Sequence, residues 1–510
     1  MKKFKILDCT LRDGGYYTNW DFKSQLVNKY LKAVEELPID YIEIGYRNLK
    51  QREYKGEFFY TPLETLKKVK SLTSKSIALI IDEKKLSEDD IKQVIEPCGK
   101  YIEMIRIAID PERFDFGIKK ARIVRKLGYK VAFNVMYLSK WVNDNSFHKK
   151  LNGIEKHVDY LYLVDSYGSV YPEDINRVVK KIRLITSVKL GFHGHNNMEL
   201  ALANSIEAVN CGVEIIDATI LGMGRGAGNL KTELLLTQIS KNQKINFNLI
   251  SNVVSEFYLL KKKYSWGTNL PYIISGFYSI PQKKVMDWLG KNFISFNSIV
   301  QALESSISDE KALKLPMIKF ENEYDKVLII GGGNSVDENI DAIKSFLLKN
   351  RNLLIVFSSS RHIKHFLDIP NDKMISFIGN EVDRFDMSIK NNHNLKIVFP
   401  PSPREFGTYL PKGWESNSFE LPENQKLKIS EHTHCSLSMQ IALKTGLKTF
   451  YVVGFDGYQE NTINKNFREV FYENEKIFKV FSNEKIKIIS LTPSLYKSFT
   501  SDSIYSIINN

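Results

Sequence analysis

Between Lys5 and Ala218 the chain passes eight times through a short β-branched segment, a polar loop and a stretch of helical periodicity. The β-branched segments are Lys5–Asp8, Tyr41–Gly45, Ile77–Ile81, Met104–Ile109, Val131–Val135, Tyr160–Val164, Lys189–His193 and Val213–Ala218. Gln25–Glu36, Thr61–Leu72, Ser87–Ile95 and Ala201–Val209 are among the helical stretches between them. Strands joined through helices must run parallel, because only a crossover returns the chain to the same end of the sheet. Eight such units predict an α/β fold with a (β/α)8 barrel, which typically takes about 250 residues. A doubly wound open sheet is the alternative, but no glycine-rich nucleotide loop follows the first strand.

Polar residues gather where these strands end: Arg12 and Asp13 after the first, Glu43 in the second and Asp82 after the third. Asn134 lies in the fifth, Asp165 and Ser166 end the sixth, and His193 and His195 end the seventh. Barrel enzymes assemble their sites at this C-terminal rim, so the pattern predicts a site as well as a fold.

At 510 residues the chain exceeds one barrel. From about Lys241 to Phe320 the strand rhythm stops, giving a helical extension with an aromatic-rich segment around Tyr272–Trp288. A second series then runs through Lys326–Ile330, Leu353–Phe357, Met374–Ile378, Leu395–Phe399, Phe450–Val453 and Ile486–Ile489. The expected division is a barrel over 1–240, the extension over 241–320, and a smaller α/β domain with fewer units over 321–510.

With 43% apolar and 26% charged residues, the composition excludes a disordered, collagenous or coiled-coil chain. The formal charge of +13 is spread over a long chain and favours anionic small molecules over nucleic acid. Cys9, Cys98, Cys211 and Cys435 are far apart and form no CxxC, which suggests neither a disulfide framework nor a thiolate zinc site. MKKFKILDCTLRDGG lacks the apolar core of a signal peptide, and no apolar run approaches the ~18 residues of a membrane span. The expectation is a cytoplasmic protein with no membrane partner.

His193-Gly194-His195 carries the clearest chemistry. At i and i+2 of an extended chain both imidazoles project from one face and can bind one metal. With Asp13 they form two nitrogens and a carboxylate, leaving coordination positions open as a catalytic metal needs; the bland reading is an incidental histidine pair. Arg12 beside a metal would stabilise an oxyanion such as an enolate. Equally, Arg12 and Asp13 would suit a turn with a surface salt bridge.

DCTLRDGG, YIEIGYRN, VDSYG, GFHGHNN and GMGRGAGN resemble, in order and spacing, the signature of the DRE-TIM metallolyases, or HMGL-like family. The resemblance covers roughly residues 1–290 and is nearest to the 4-hydroxy-2-oxoacid aldolases. It implies a (β/α)8 barrel with a divalent metal, Mn2+ or Mg2+, with Zn2+ or Co2+ in some members. Carried over, Asp13, His193, His195 and Asn229 look like the metal ligands, Arg12 the residue steadying an enolate oxygen, and Ser166 a holder of substrate carboxylate. Asn134 joins Ser166 as a substrate-binding candidate, and Asn197 resembles a support beyond the ligands. Where those aldolases place a general-base histidine, this chain has Tyr16. A tyrosine is a poor base near neutral pH without a cation nearby, so Tyr16, Tyr17, a metal-bound hydroxide or another group stays open as the base. Tyr278 resembles an aldolase tyrosine, with core packing as the alternative. Relatives are commonly oligomers, which implies a homo-oligomer by analogy.

In the second domain Lys326–Ile330 runs into Gly331-Gly332-Gly333-Asn334-Ser335, a turn of the kind that binds phosphate through backbone N–H groups. With Ser438–Asp456 it resembles MptE-like and bacterial sialyltransferase-type Rossmann-like domains, implying a nucleotide or nucleotide-sugar held near Gly331, Gly333, Ser335 and Asp456. The transferase histidine is missing from Gly457–Lys465, and His432 and His434 read as helix-end residues. The expected function is a divalent-metal-dependent aldolase or lyase acting through the enolate of a pyruvate-like 2-oxoacid, with a carbonyl acceptor, in the making of a surface-polysaccharide sugar. An acyl-CoA-dependent Claisen synthase, a nucleotide-sugar transferase and a non-enzymatic scaffold are the alternatives.

Overall fold

A computed structural model describes residues 3–241, 244–290, 296–305, 314–320, 323–379, 381–386, 389, 394–402, 404, 410–422, 433–457 and 465–509. His432 lies outside them. Two compact units emerge, Met1–Met286 and Asp287–Asn510.

In the first unit β1 (Lys5–Asp8), β2 (Tyr41–Tyr46), β3 (Ser76–Asp82), β4 (Met104–Ile109), β5 (Lys130–Val135), β6 (Tyr160–Asp165), β7 (Lys189–Gly194) and β8 (Ile215–Ala218) form a closed barrel. All neighbours are parallel, and the pairing of Lys5–Asp8 with Ile215–Ala218 closes the ring. Because successive strand side chains alternate between faces, one parity set packs under the helices and the other fills the barrel. Leu7, Tyr41, Ala78, Met104, Ala132 and Ile215 belong to a separate buried cluster of this second parity. Glu43, Arg106, Asn134, His193 and Asp217 share that parity one or two residue pairs further along their strands, and all are buried. The strand period therefore directs these polar side chains inward, above an apolar plug.

Part of the helical stretch after the barrel packs onto it. Helix Phe247–Tyr264 buries Ile250, Val253 and Phe257 in the barrel's outer core, and Phe257 lies edge-on to Tyr30 at 6.0 Å.

The second unit is built on β9 (Lys326–Ile330), β10 (Leu353–Phe357), β11 (Lys373–Ser376), β12 (Leu395–Phe399), β13 (Ser418–Glu420), β14 (Thr449–Val453), β15 (Lys487–Ser490) and β16 (Thr500–Ser501). They form one open parallel sheet in the order β13-β12-β11-β10-β9-β14-β15-β16. The expectation of fewer units fails here: β13 and β16, of three and two residues, are too short to show as β-branched runs. Val327 and Ile329 pack on one face and Leu328 and Ile330 on the other, as a sheet covered on both sides requires. The order reverses between β9 and β14, a topological switch point where α/β sheets open a crevice. No helix among the described residues is long and apolar enough to cross a membrane.

Candidate active site and metal centre

Arg12 and Asp13 lie in the first turns of helix Thr10–Thr18, directly after β1, and both are buried. They are not a surface turn. Arg12 bonds Asp13 through Nη1 and Glu43 through Nε, and its carbonyl accepts from Trp20 Nε1 at 2.8 Å. Burial disfavours its charge, but Asp13 and Glu43 more than offset this and raise its pKa. Burial alone would likewise push the Asp13 carboxyl up, yet nearby positive charge, Arg12 foremost, holds it at about 2, so it is a carboxylate.

The two histidines are oriented from behind. His193 Nδ1 lies 2.8 Å from Asp217 Oδ2, and His195 Nδ1 lies 2.8 Å from the carbonyl oxygen of Asp165. Carboxylate and carbonyl oxygens only accept, so each Nδ1 carries a proton, and in the neutral ring each Nε2 presents a lone pair. His193 Nε2 sits 3.4 Å from Asp13 Oδ2. Burial lowers the His195 pKa to about 3, keeping that ring neutral. Asn229 Nδ2 donates to Asp13 Oδ2 at 2.6 Å, while its Oδ1 is buried without a hydrogen-bond partner. Gly224 and Gly228 let the loop fold tightly around Asn229: a Cβ on either would strike the Asn229 amide or the Gly222 carbonyl.

Thus Asp13 meets His193 Nε2 and the Asn229 amide, His195 lies beside His193, and the Asn229 oxygen has no hydrogen-bond partner. The donor set fits a divalent cation, which would resolve both the facing lone pairs and the orphaned Asn229 oxygen. Potential ligand atoms of Cys9, Asp13 and His193 lie mutually within 4.8 Å; the His195 ring centre lies 5.1 Å from that of His193. Cys9 thus lies within the cluster without making it a thiolate site. Its Sγ lies 3.9 Å from Asp13 Oδ2 and 3.5 Å from the Ala218 carbonyl, and burial pushes its thiol pKa up, favouring a protonated donor.

A buried relay runs beneath. Arg106 bridges Glu43 Oε1 at 3.0 Å and Asp217 Oδ2 at 2.5 Å, and its Nε donates to Asn134 Oδ1 at 3.1 Å. Its guanidinium stacks 4.2 Å over the Tyr162 ring. Ser166 Oγ accepts from the Tyr137 amide at 2.9 Å, which leaves its own proton to donate elsewhere. Asn197 bonds the Tyr272 carbonyl and Gln282 Nε2 at 2.9 and 2.7 Å, tying helix Leu270–Phe277 to the rim. Tyr16 OH lies 2.9 Å from Tyr46 OH, and the Arg225 guanidinium stacks 4.6 Å over the Tyr16 ring. Tyr17 instead donates to the Gly226 carbonyl, and burial raises its pKa to about 12. Tyr278 is 43% exposed against Phe277, so core packing does not account for it.

Arg106, Asp217, Tyr46 and Arg225 escaped sequence reasoning. A charge inside MIRIAI and another inside VEIIDA were the available signals, since a buried strand carries an ion only with partners.

In the second unit Gly331, Gly333, Ser335 and Asp456 do meet at the switch point. Asp456 Oδ2 accepts from the Ser335 amide at 3.0 Å and its other oxygen from the Ser335 hydroxyl, while a Cβ on Gly333 would collide with that carboxyl. These groups tie the two loops to each other. Beside them lies a cavity of about 520 Å³, lined by the glycine loop, Arg361, His434, Glu473 and Tyr496.

A closed parallel barrel with a buried carboxylate–imidazole cluster at its C-terminal rim defines a metal-dependent carbon–carbon lyase. Residues 3–254 match the HMGL-like family, and the chain belongs to it. It is 50% identical to the crystallised N-terminal domain of a Bacteroides vulgatus protein described as a candidate aldolase, covering 100% of that domain and 59% of this chain, with a TM-score of 0.56. It is 25% identical over 284 residues to an oxaloacetate decarboxylase of Mycobacterium tuberculosis, covering 84% of that protein and 55% of this one. It is 28% identical over 245 residues to a 4-hydroxy-2-oxovalerate aldolase of Carboxydothermus hydrogenoformans, covering 71% of that protein and 47% of this one.

Proposed function

We propose that the barrel makes or breaks a carbon–carbon bond of a 2-oxoacid through its enolate, with Asp13, His193, His195 and Asn229 holding the metal. The observation that carries this reading is the buried meeting of Asp13 with His193 and Asn229 beside a buried arginine. When bound, a divalent cation (Mn2+ or Mg2+, alternatively Zn2+ or Co2+) supplies Lewis-acid polarisation of the substrate. Arg12 is pinned by Asp13 and Glu43 through Nη1 and Nε, and its fixed positive charge would stabilise the charge that develops on the keto oxygen. The Ser166 hydroxyl and the Asn134 amide are the donors for the substrate carboxylate. In cleavage, a proton leaves the C4 hydroxyl, the C3–C4 electron pair passes towards the keto group, and C3 then takes a proton. Tyr16, paired with Tyr46 under Arg225, is positioned to move that proton at its hydroxyl.

Proton NMR of pyruvate in D2O tests this reading. The full chain exchanges the C3 protons when Mn2+ or Mg2+ is added and stops with chelator or on His193→Ala. No exchange with any of the four metals, and no metal bound, would refute it. The likeness to an oxaloacetate decarboxylase favours a second reading in which the C3–C4 bond of oxaloacetate breaks with loss of CO2 to the same enolate. Release of CO2 from oxaloacetate without cleavage of 4-hydroxy-2-oxoacids would select it.

For the second unit we infer a phosphate-bearing ligand, a nucleotide or nucleotide-sugar, in the cavity at the switch point. Its support is the glycine loop opening onto that space. Calorimetric titration with UDP and CMP tests it, and absence of heat with both counts against it.

A further inference from the structure

Behind the same glycine loop lies a cluster that neither the family nor the barrel chemistry uses. Asp337 sits on the short helix Ser335–Glu338 that follows the loop, and His362 and His365 sit on the 3-10 segment Ser360–Phe366. Three residues per turn place positions i and i+3 on one edge of such a segment. The two imidazoles accordingly stack with centroids 6.2 Å apart. Asp337 Oδ1 lies 3.1 Å from His362 Nδ1 and 3.5 Å from His365 Nε2, and ligand atoms of all three lie within 4.8 Å of one another.

The hydrogen bonding of His362 makes this more than proximity. Its Nε2 is 3.1 Å from the Gly333 carbonyl oxygen, which can only accept, so Nε2 bears the proton. In the neutral ring Nδ1 then turns a lone pair towards a carboxylate oxygen, and two acceptors at that distance repel unless a positive species lies between them. The His362 side chain is 1% exposed, so a second ring proton would place an imidazolium in the interior. The two cations adjacent in sequence are engaged elsewhere: Arg361 bonds the Gly332 carbonyl and Asn334 Oδ1 at 2.8 and 2.9 Å, and Lys364 pairs with Asp386. Asp337 and His365 are about half exposed, so the cluster opens to solvent on one side.

We propose that Asp337, His362 and His365 bind a divalent cation of the borderline class, Zn2+ before Mg2+, distinct from the barrel's metal. Two imidazoles and one carboxylate are the ligand types that such ions select, and three protein ligands leave a position for water or an anionic ligand. The His362–Gly333 bond is the outer contact that fixes the ring's tautomer, so an occupied site also holds the glycine loop. The inference stands independently of the barrel's activity.

Tag-free full-length protein tests it by counting Co2+ and Zn2+ equivalents, with Co2+ followed by its visible absorption. The wild type is expected to bind one equivalent more than Asp337→Asn or His365→Ala, or to bind that equivalent at least tenfold more tightly. Both substitutions fall at half-exposed positions, and circular dichroism checks that the variants fold. Zn2+ should slow hydrogen exchange at the Gly333 and Asn334 amides in the wild type but not in His365→Ala. Equal stoichiometry and affinity in all three proteins, or loop exchange indifferent to Zn2+, overturns the proposal and leaves a proton-bridged ion pair.

Discussion

Asp217 is the group on which the orientation of His193 depends. Its Oδ2 accepts from His193 Nδ1 at 2.8 Å and from Arg106 Nη2 at 2.5 Å, entirely within the barrel. Burial opposes its charge, but Arg106 and then His193 outweigh burial and lower its pKa below the ordinary carboxylate value, so it is ionised at neutral pH. Asp217→Asn keeps the shape, removes the charge and replaces one oxygen with an NH2. Because Arg106 donates to the same Oδ2 and Oδ1 has no hydrogen-bond partner, the amide keeps its oxygen towards both donors, and the His193 ring loses the negative charge behind Nδ1 that makes Nε2 a stronger ligand. Disturbing such an outer contact lowers metal affinity about 10–100-fold, or about 1.4–2.7 kcal/mol. Arg106 keeps Glu43 at 3.0 Å, so the stability loss should sit near the low end of the ~3–5 kcal/mol for a broken buried pair. Calorimetry with Mn2+ on the full chain measures the first quantity, and urea unfolding of the metal-free protein the second. A Kd within threefold of wild type would refute the argument that the Asp217 charge strengthens His193 as a ligand.

Arg12→Lys cannot reach Asp13 and Glu43 with one fork, and pyruvate C3 exchange should fall about 100-fold or more at saturating metal. Tyr16→Phe should slow exchange about 100-fold or more, and Tyr46→Phe less; wild-type exchange in Tyr16→Phe removes it as the proton carrier. Burial raises the Asp165 carboxyl from 3.8 to about 7, so the folded state holds a proton that the unfolded state releases. Its contribution is full below pH 3.8 and declines as pH rises to about 7, by roughly 4 kcal/mol at most. Asp165→Asn should therefore flatten the urea-unfolding stability profile between about pH 4 and 7, and an unchanged slope would contradict the shift. Gly333→Ala drives a Cβ into the Asp456 carboxyl and should cost about 1–3 kcal/mol in thermal or urea unfolding of the second unit.

Much of the barrel was legible because its signals are local. The alternation of β-branched and helical segments located all eight strands within a few residues, and placed Asp13, His193 and His195 at one rim. Less of the second sheet was legible: β13 and β16 carry almost no periodic signal, and only their neighbours make them strands.

The sequence by itself thus determined the parallel α/β class, the eight-unit barrel and the candidate metal ligands, since two- and 3.6-residue periods are properties of neighbouring residues. Tertiary structure alone decided which distant residues meet. Closure of the barrel brings Asp217 and Arg106 beneath His193, and folds the loop 222–229 so that Arg225 covers Tyr16. Strand-order reversal in the second sheet ties Ser335 to Asp456, and the turn after β9 sets Asp337 against His362 and His365. None of these pairings leaves a periodic trace, because each depends on the geometry of the closed ring or the crossover rather than on spacing along the chain.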